Sequence, residues 1–143
     1  MKDQEQQLLD EIYKGCQMGL DALKEMIPKV DSKDLAADLN EHQKDLLELQ
    51  NKALKAASSK KNAVKSPGTM EKLMVKGSTK LQTMVRSTPS HFADMLIKGS
   101  NMGITTIQKF LNDASDVKDE IKKLAKQFIQ LEQANIEKMK PYL

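Results

Sequence analysis

The sequence has one cysteine, no tryptophan and no apolar run near the ~20 residues that a membrane-spanning helix needs. The single cysteine, Cys16, excludes a disulfide within the chain and a thiolate metal cluster. Aromatic residues make up only 3% of the chain, which argues against a base-stacking surface for nucleic acid. The polar start, MKDQEQQLLDE, is unlike a signal peptide. We expect a cytoplasmic protein with no transmembrane segment and no nucleic-acid partner.

The net charge of +3 is distributed unevenly along the chain. Residues 52–86 contain nine basic side chains and one acid, Glu71, so this stretch carries +8 and the remainder carries −5. The basic residues are Lys52, Lys55, Lys60, Lys61, Lys65, Lys72, Lys76, Lys80 and Arg86. A solvated connector is the simpler interpretation, and the alternative is a contact with an anionic membrane or an acidic partner.

The first half of the chain predicts two helices, because apolar side chains recur at alternating steps of three and four residues. Helix A runs from about residue 4 to Ile27, and Pro28 stops it. Asp31 or Ser32 caps helix B, which ends in a polar stretch at 58–61. The predicted seam positions are Leu9, Ile12, Cys16, Gly19, Leu23 and Met26, then Leu35, Leu39, His42, Leu46, Leu49, Ala53 and Ala56.

The second half predicts another pair of helices. Thr88 caps helix C, Pro89 is its first residue, and a turn at 112–115 leads to helix D, which ends at Pro141. The predicted buried positions are Phe92, Leu96, Gly99, Gly103, Thr106 and Phe110, then Val117, Ile121, Leu124, Phe128, Leu131 and Met139. Residues 59–88 predict a partly helical crossover, with one apolar face formed by Met70, Leu73, Met74, Gly77, Leu81 and Met84.

An internal repeat relates the two halves, since KGCQMG at 14–19 matches KGSNMG at 98–103. The apolar positions of helices A and C match at the same offset of 84 residues. With a two-residue adjustment in the turn, helices B and D also align. His42 then matches Phe128, and Leu46 matches Glu132.

Each copy contains two glycines four residues apart in the middle of a helix, Gly15 with Gly19 and Gly99 with Gly103. Each glycine costs roughly 1 kcal/mol relative to alanine, so something must offset that cost. We predict that the glycines let helices A and C pack closely across a pseudo-twofold axis. The alternative is that they leave room for a ligand.

Two helical hairpins joined by a long crossover predict an all-α, ferritin-like four-helix bundle. We expect one domain over 1–143, with hairpin 1 at about 4–58, the crossover at about 59–88 and hairpin 2 at about 89–143. Four strings carry a resemblance, YKGCQMGLDAL, SPGTMEKLM, SHFADMLIKGSNMGIT and LEQANIEKMKPYL. On these strings the chain resembles the ferritin-like superfamily, and more closely the uncharacterised small bundle proteins of Gram-positive bacteria. The resemblance implies a fold and brings no activity with it.

Ferritin-like proteins often hold two metal ions on a Glu from each of two helices and a Glu-x-x-His pair from each of the others. No Glu of helices B and D is followed three residues later by His, so that ligand pattern is missing. An atypical site would draw on His42, Glu132, Glu11 and His91. His42 and Glu132 both fall among apolar positions, so a buried ion pair that fixes the helix register is the other hypothesis.

We therefore predict no catalytic residue and no cofactor. The leading hypothesis is a non-enzymatic interaction or structural protein that forms a homo-oligomer, with a dimer favoured. One alternative is a metal-binding, di-iron-like oxidoreductase that holds iron or manganese with the atypical ligand set. A second alternative is a protein that binds an anionic membrane or an acidic partner through residues 52–86. Cys16 and the nine methionines are assigned to packing.

Overall fold

A computed structural model describes residues 3–58 and 88–143, and these ranges form four α-helices and two 3₁₀ turns, with no strand. The helices are α1 (Gln4–Met26), α2 (Lys33–Ser58), α3 (Pro89–Asn112) and α4 (Asp119–Met139). The 3₁₀ turns Ile27–Lys29 and Lys140–Tyr142 follow α1 and α4. The predicted all-α fold is confirmed for this part of the chain. The apolar face predicted within 59–87 lies outside the described residues.

The boundaries of the first hairpin follow from local chemistry. The Asp3 carboxylate accepts a hydrogen bond from the N–H of Gln6 at 2.7 Å, which satisfies a free donor at the start of α1. Pro28 lies in the 3₁₀ turn that ends α1, as predicted. The Ser32 hydroxyl accepts from the N–H of Leu35 at 3.2 Å, so the serine caps α2.

The second hairpin also begins as the sequence predicts. The Thr88 hydroxyl accepts a hydrogen bond from the N–H of His91 at 3.1 Å, and Pro89 is the first residue of α3. Helix α4 begins at Asp119, later than predicted. Val117 is buried as expected, but it lies in the turn before the helix and not on its first turn.

Neighbouring helices of the described bundle run antiparallel. Short turns join α1 to α2 and α3 to α4, and α1 also packs on α3 while α2 packs on α4. The start of α1 is bonded to the turn after α3, through Gln4 and Asp113. The end of α4 is bonded to the start of α2, through Tyr142 and Asp38. Consequently α2 and α3 run in the same direction, and residues 58 and 88 lie at opposite ends of the bundle.

All four helices contribute to one apolar core, and fully burying a large apolar side chain stabilises a fold by about 1.5–3 kcal/mol. The largest fully buried side chains are Phe92, Phe128, Leu8, Leu9, Ile12, Leu23, Leu35, Leu39, Leu46, Ile107, Met139 and Cys16. Most predicted seam positions are among the buried residues, while Thr106, Phe110 and Leu131 are half-buried. None of the described helices combines the length and the apolar character needed to span a membrane.

The prediction that the glycines let α1 and α3 pack closely across a pseudo-twofold axis is wrong, because three of the four glycines lie against a side chain of α2 or α4. A Cβ atom at Gly15 would lie 2.8 Å from Cζ of Phe128, and one at Gly103 would lie 3.2 Å from the same atom. The ring of Phe128 therefore packs against the backbones of both α1 and α3. These two glycines make room for one aromatic side chain of α4.

The other two glycines differ from each other as well. A Cβ atom at Gly19 would lie 2.7 Å from Cδ1 of Leu46, so this glycine accommodates a leucine of its own hairpin. Gly99 is exposed, and a Cβ atom there would meet none of the described residues within 4 Å. In an exact repeat Gly99 would face His42, as Gly15 faces Phe128. His42 lies beside Glu132 on α4 instead, at 3.6 Å.

The free end of each hairpin is tied to the other hairpin. Gln4 accepts hydrogen bonds from the backbone N–H groups of Ser115 and Asp116, at 3.2 and 3.0 Å. The Glu5 carboxylate accepts from the N–H of Lys118 at 2.7 Å, at the N-cap of α4. The start of α1 therefore supplies acceptors for the turn between α3 and α4.

The opposite end of the bundle is tied by the last residues of the chain. The Tyr142 hydroxyl donates a hydrogen bond to Oδ2 of Asp38 at 2.7 Å, and this bond raises the pKa of Tyr142 to about 12. Lys138 Nζ lies 3.1 Å from Oε2 of Glu41 on the same pair of helices. Both contacts join α2 to the end of α4.

Candidate functional site

The interior of the described bundle holds a buried pair of titratable side chains, His42 on α2 and Glu132 on α4. Nε2 of His42 lies 3.6 Å from Oε1 of Glu132, and each side chain is 8% exposed. This distance exceeds the usual range of a hydrogen bond, so the contact is an ion pair when the imidazole is protonated. The sequence raised this pairing as a hypothesis, and the geometry confirms that the two side chains face each other.

The helical period explains why both side chains point inward. His42 lies three residues after Leu39 and four before Leu46, on the buried face of α2. Glu132 lies four residues after Phe128, on the buried face of α4. Burying an ion pair costs hydration energy that the mutual attraction only partly offsets, so this contact adds little to the stability of the fold, and its role in fixing the register of α2 against α4 stays a prediction.

Cys16 of α1 is near the same pair. Burial raises the pKa of the Cys16 thiol far above its ordinary value, and the negative charge of Glu132 raises it further. The side chain is fully buried, so the thiol stays protonated and unreactive. Cys16 behaves as a small apolar residue, in agreement with its assignment to packing.

Two further buried polar residues lie close by, and the sequence interpretation missed them. Nδ2 of Asn135 donates a hydrogen bond to the Ser100 hydroxyl at 3.1 Å, and both residues are 3% exposed. Oδ1 of Asn135 is buried and has no hydrogen-bond partner among the residues that the structure describes. The repeat held a signal for one of them, because Ser100 aligns with the buried Cys16. Together with the ion pair and the cysteine, these residues form a set that we name the central polar layer. Its members are Cys16, His42, Ser100, Glu132 and Asn135.

The two remaining predicted metal ligands lie elsewhere. Glu11 is on the outer flank of α1, where its Oε1 is 3.0 Å from Nζ of Lys14. His91 is exposed in the first turn of α3, with its ring tilted against that of Phe92. Across 3–58 and 88–143, no three His, Cys, Asp or Glu side chains form a group that could hold a metal ion. The predicted four-residue set is not assembled, because only His42 and Glu132 of the four lie against each other among the described residues.

A groove of about 530 Å³ lies on the outer surface between α1 and α2. We name it the carboxamide groove. The residues that line it are Gln17, Leu20, Asp21, Lys24, Asn40, Gln43, Lys44, Leu47 and Gln50. Nε2 of Gln50 donates to Oε1 of Gln17 at 2.8 Å, and Nε2 of Gln17 donates to Oδ1 of Asp21 at 3.0 Å. Burial raises the pKa of Asp21, and the hydrogen bond from Gln17 opposes that shift.

Two large exposed methionines occupy equivalent places in the repeat. Met18 is 54% exposed on α1, and Met102 is 64% exposed on α3. Each follows a buried residue, Cys16 or Ser100, by two positions, which is about 200° around an α-helix. Both side chains therefore point away from the core, and the sequence analysis had assigned them to packing.

No protein-family model matches the sequence, and comparisons with curated proteins and with solved structures also give no match. A function for this chain is therefore argued from its own residues.

Proposed function

We propose that this protein is a non-enzymatic interaction protein of ferritin-like architecture, which self-associates through the outer faces of α1 and α3. The observation that carries the proposal is the pair of exposed methionines, Met18 and Met102, at equivalent positions of the two copies. Contiguous apolar patches on a surface mark sites that other protein surfaces cover. A repeated patch also suits a symmetric dimer, in which both subunits present the same surface.

The positions of the two methionines along the bundle support one continuous surface. Gln4, near the start of α1, bonds to Asp113 after the end of α3, so both helices can be measured from that end. At 1.5 Å per residue, Met18 is about 21 Å and Met102 about 17 Å from it. Gly99, which is exposed and adds no side chain, leaves space beside Met102 for a second subunit.

Sedimentation velocity at several protein concentrations tests this proposal. We expect the wild-type protein to sediment as a dimer and the double variant Met18→Lys with Met102→Lys to sediment as a monomer, because four ammonium groups would then meet in the interface. Leu143→Lys is the matched control, since Leu143 is 61% exposed at the end of the chain. A monomeric wild-type protein, or a double variant that still forms dimers, would contradict the proposal.

A metal-binding or oxidoreductase bundle is the rival proposal, and the buried His42–Glu132 contact is the observation that favours it. Oδ1 of Asn135, which accepts no hydrogen bond within the described part of the chain, is a further oxygen atom of the central polar layer that could bind a metal ion. Bound iron or manganese would add redox chemistry that the side chains lack. Metal analysis of protein purified without chelator decides between the two proposals. Stoichiometric metal that is lost in His42→Ala would favour the rival.

The third proposal, contact with an anionic membrane or an acidic partner through residues 52–86, rests mainly on residues outside the described ranges. Lys52 and Lys55 are exposed near the end of α2, where they would begin such a surface. Electrostatic binding of this kind weakens as salt screens the charges. Co-sedimentation with vesicles of phosphatidylserine at low and high salt tests it, and no binding at low salt would remove it.

A further inference from the structure

We propose that the carboxamide groove binds an extended peptide segment, which pairs its main-chain amides with the groove and places one aliphatic side chain on its floor. This inference is independent of self-association, because a different surface and a different observation carry it. The observation is the chemistry of the lining, where four carboxamide side chains from two helices meet in one groove. These are Gln17, Asn40, Gln43 and Gln50.

A carboxamide side chain offers a carbonyl acceptor and an N–H donor, like the peptide group itself. An extended peptide has main-chain N–H and C=O groups free to pair with such side chains. A helix uses most of these groups in its own hydrogen bonds, so a helical partner would leave the carboxamides unused. This difference favours an extended occupant over a helix or a second copy of this chain.

The hydrogen bonds of the groove fix some amides and leave others available. Gln17 is held at both ends, since its Oε1 accepts from Gln50 and its Nε2 donates to Asp21. Gln50 is only 5% exposed, and its Oε1 accepts no hydrogen bond from the described residues. Gln43 makes no side-chain hydrogen bond in the same part of the chain. The groove therefore presents the Oε1 acceptor of Gln50, which is held in place by its bond to Gln17, beside the unpaired carboxamide of Gln43.

The groove also has an apolar floor between charged rims. Leu47 is 49% exposed, and Leu20 is partly buried beside the core. An aliphatic side chain of the peptide would cover Leu47 from water. Lys24 and Lys44 outnumber Asp21 on the rims, so an acidic residue next to the aliphatic one matches the charge. The volume of about 530 Å³ lies within the range of ligand-binding clefts.

The second hairpin reproduces this chemistry only in part. Asn101 aligns with Gln17, but at the offset of 86 residues that aligns α2 with α4, Ile129 stands at the position of Gln43 and Ile136 at that of Gln50. Ile129 is buried and belongs to the apolar core. The second hairpin therefore lacks the carboxamides of Gln43 and Gln50, and Gln43→Ile is a substitution that copies the other half of the molecule.

The probe is an acetylated and amidated hexapeptide, Ac-Gly-Ala-Leu-Glu-Ala-Gly-NH₂, titrated into ¹⁵N-labelled full-length protein. We expect the side-chain NH₂ signals of Gln43 and Gln50 to shift. Gln43→Ile and Leu47→Lys should each weaken binding at least tenfold, because they remove a hydrogen-bonding partner and the apolar floor. Gln133→Ala on the exposed surface of α4 is the control and should bind as wild type does.

A second peptide with the same side chains but N-methylated at leucine and glutamate tests the role of the main chain. We expect its binding to be at least tenfold weaker, since the methyl groups remove two main-chain donors. Equal binding of both peptides would overturn the proposal, as would no shift at millimolar peptide. Loss of dimers in Leu47→Lys would also overturn it, because a second copy would then occupy the groove.

Discussion

The two hairpins place apolar residues at the same helical spacing, yet aligned positions do different work. Where α2 has His42, α4 has Phe128, whose ring packs on two helix backbones. Gly15 of α1 makes room for that ring, whereas a Cβ atom at the aligned Gly99 of α3 would contact none of the residues in 3–58 and 88–143. A sequence repeat therefore determines which side of each helix faces the core but not how much room each position has, because both halves fill one shared interior.

The two ends of the bundle show the same mixture of likeness and difference. Each hairpin holds the other near its turn, but Gln4 does so with hydrogen bonds to backbone groups and Tyr142 does so with a bond to a carboxylate. Both halves thus have a hydrogen bond from their free end to the other hairpin, but the chemical groups that make this bond differ. Substitutions at aligned positions and at the two ends of the bundle test where the halves differ.

The largest effect is expected at Phe128. Replacing it with alanine removes a buried ring that contacts α1 and α3, so Phe128→Ala should lower the free energy of unfolding by about 3–5 kcal/mol. Phe110→Ala on the half-buried side of α3 is the matched control and should cost less than half as much. Urea denaturation followed by circular dichroism measures both. Equal losses of unfolding free energy in the two variants would contradict the claim that the Phe128 ring packs between α1 and α3.

The next largest effect is expected at the His42–Glu132 pair, because His42 stands where the second hairpin has Phe128. His42→Ala should cost about 3 kcal/mol, because it leaves the carboxylate of Glu132 buried without its partner. The double variant His42→Phe with Glu132→Leu copies the residues at the aligned positions. It should unfold at nearly the wild-type urea concentration, since apolar groups of similar size remove the cost of burying charge.

A loss of about 3 kcal/mol in the double variant, as large as that of His42→Ala alone, would contradict this account of the pair.

A smaller effect is expected at the hydrogen bond that joins the end of α4 to the start of α2. Tyr142→Phe removes the hydrogen bond to Asp38 and should cost about 1 kcal/mol at pH 7. Because this bond raises the pKa of Tyr142 from 10.0 to about 12, its stabilisation is fully present below pH 10 and is lost as the pH rises toward 12.

The measurement is urea denaturation of the wild-type and Tyr142→Phe proteins at several pH values from 7 to 12. The difference in unfolding free energy between them should shrink above pH 10. A difference that stays constant up to pH 12 would show that the tyrosine hydroxyl makes no such bond.

Much of the fold could be predicted because local chemistry determines it. The α1 terminus at Pro28 and the cap at Thr88 depend on residues within one turn of the helix end. The inward direction of His42 and Glu132 follows from the helical period, which made their meeting a hypothesis open to test. These features need no knowledge of the neighbouring helix.

The features that could not be predicted depend on contacts between distant parts of the chain. Gly99 lies at the edge of the buried face, where exposure is decided by the side chain that the opposite helix presents. The bonds from Gln4 to the turn between α3 and α4 span more than 100 residues and follow no period. Gln50 and Asn135 are buried polar residues, which a pattern of apolar spacing assigns to the surface.

The measurement that tests the central claim most directly is the unfolding free energy of Gly15→Ala beside that of Gly99→Ala. Alanine favours a helix by about 1 kcal/mol over glycine, so Gly99→Ala, whose methyl group would meet no residue of the described bundle, should stabilise the protein by about that amount. Gly15→Ala should destabilise it by at least 1 kcal/mol, because the new methyl group would collide with the ring of Phe128. Changes of the same sign and size would contradict the claim that the two copies share a pattern but not its packing.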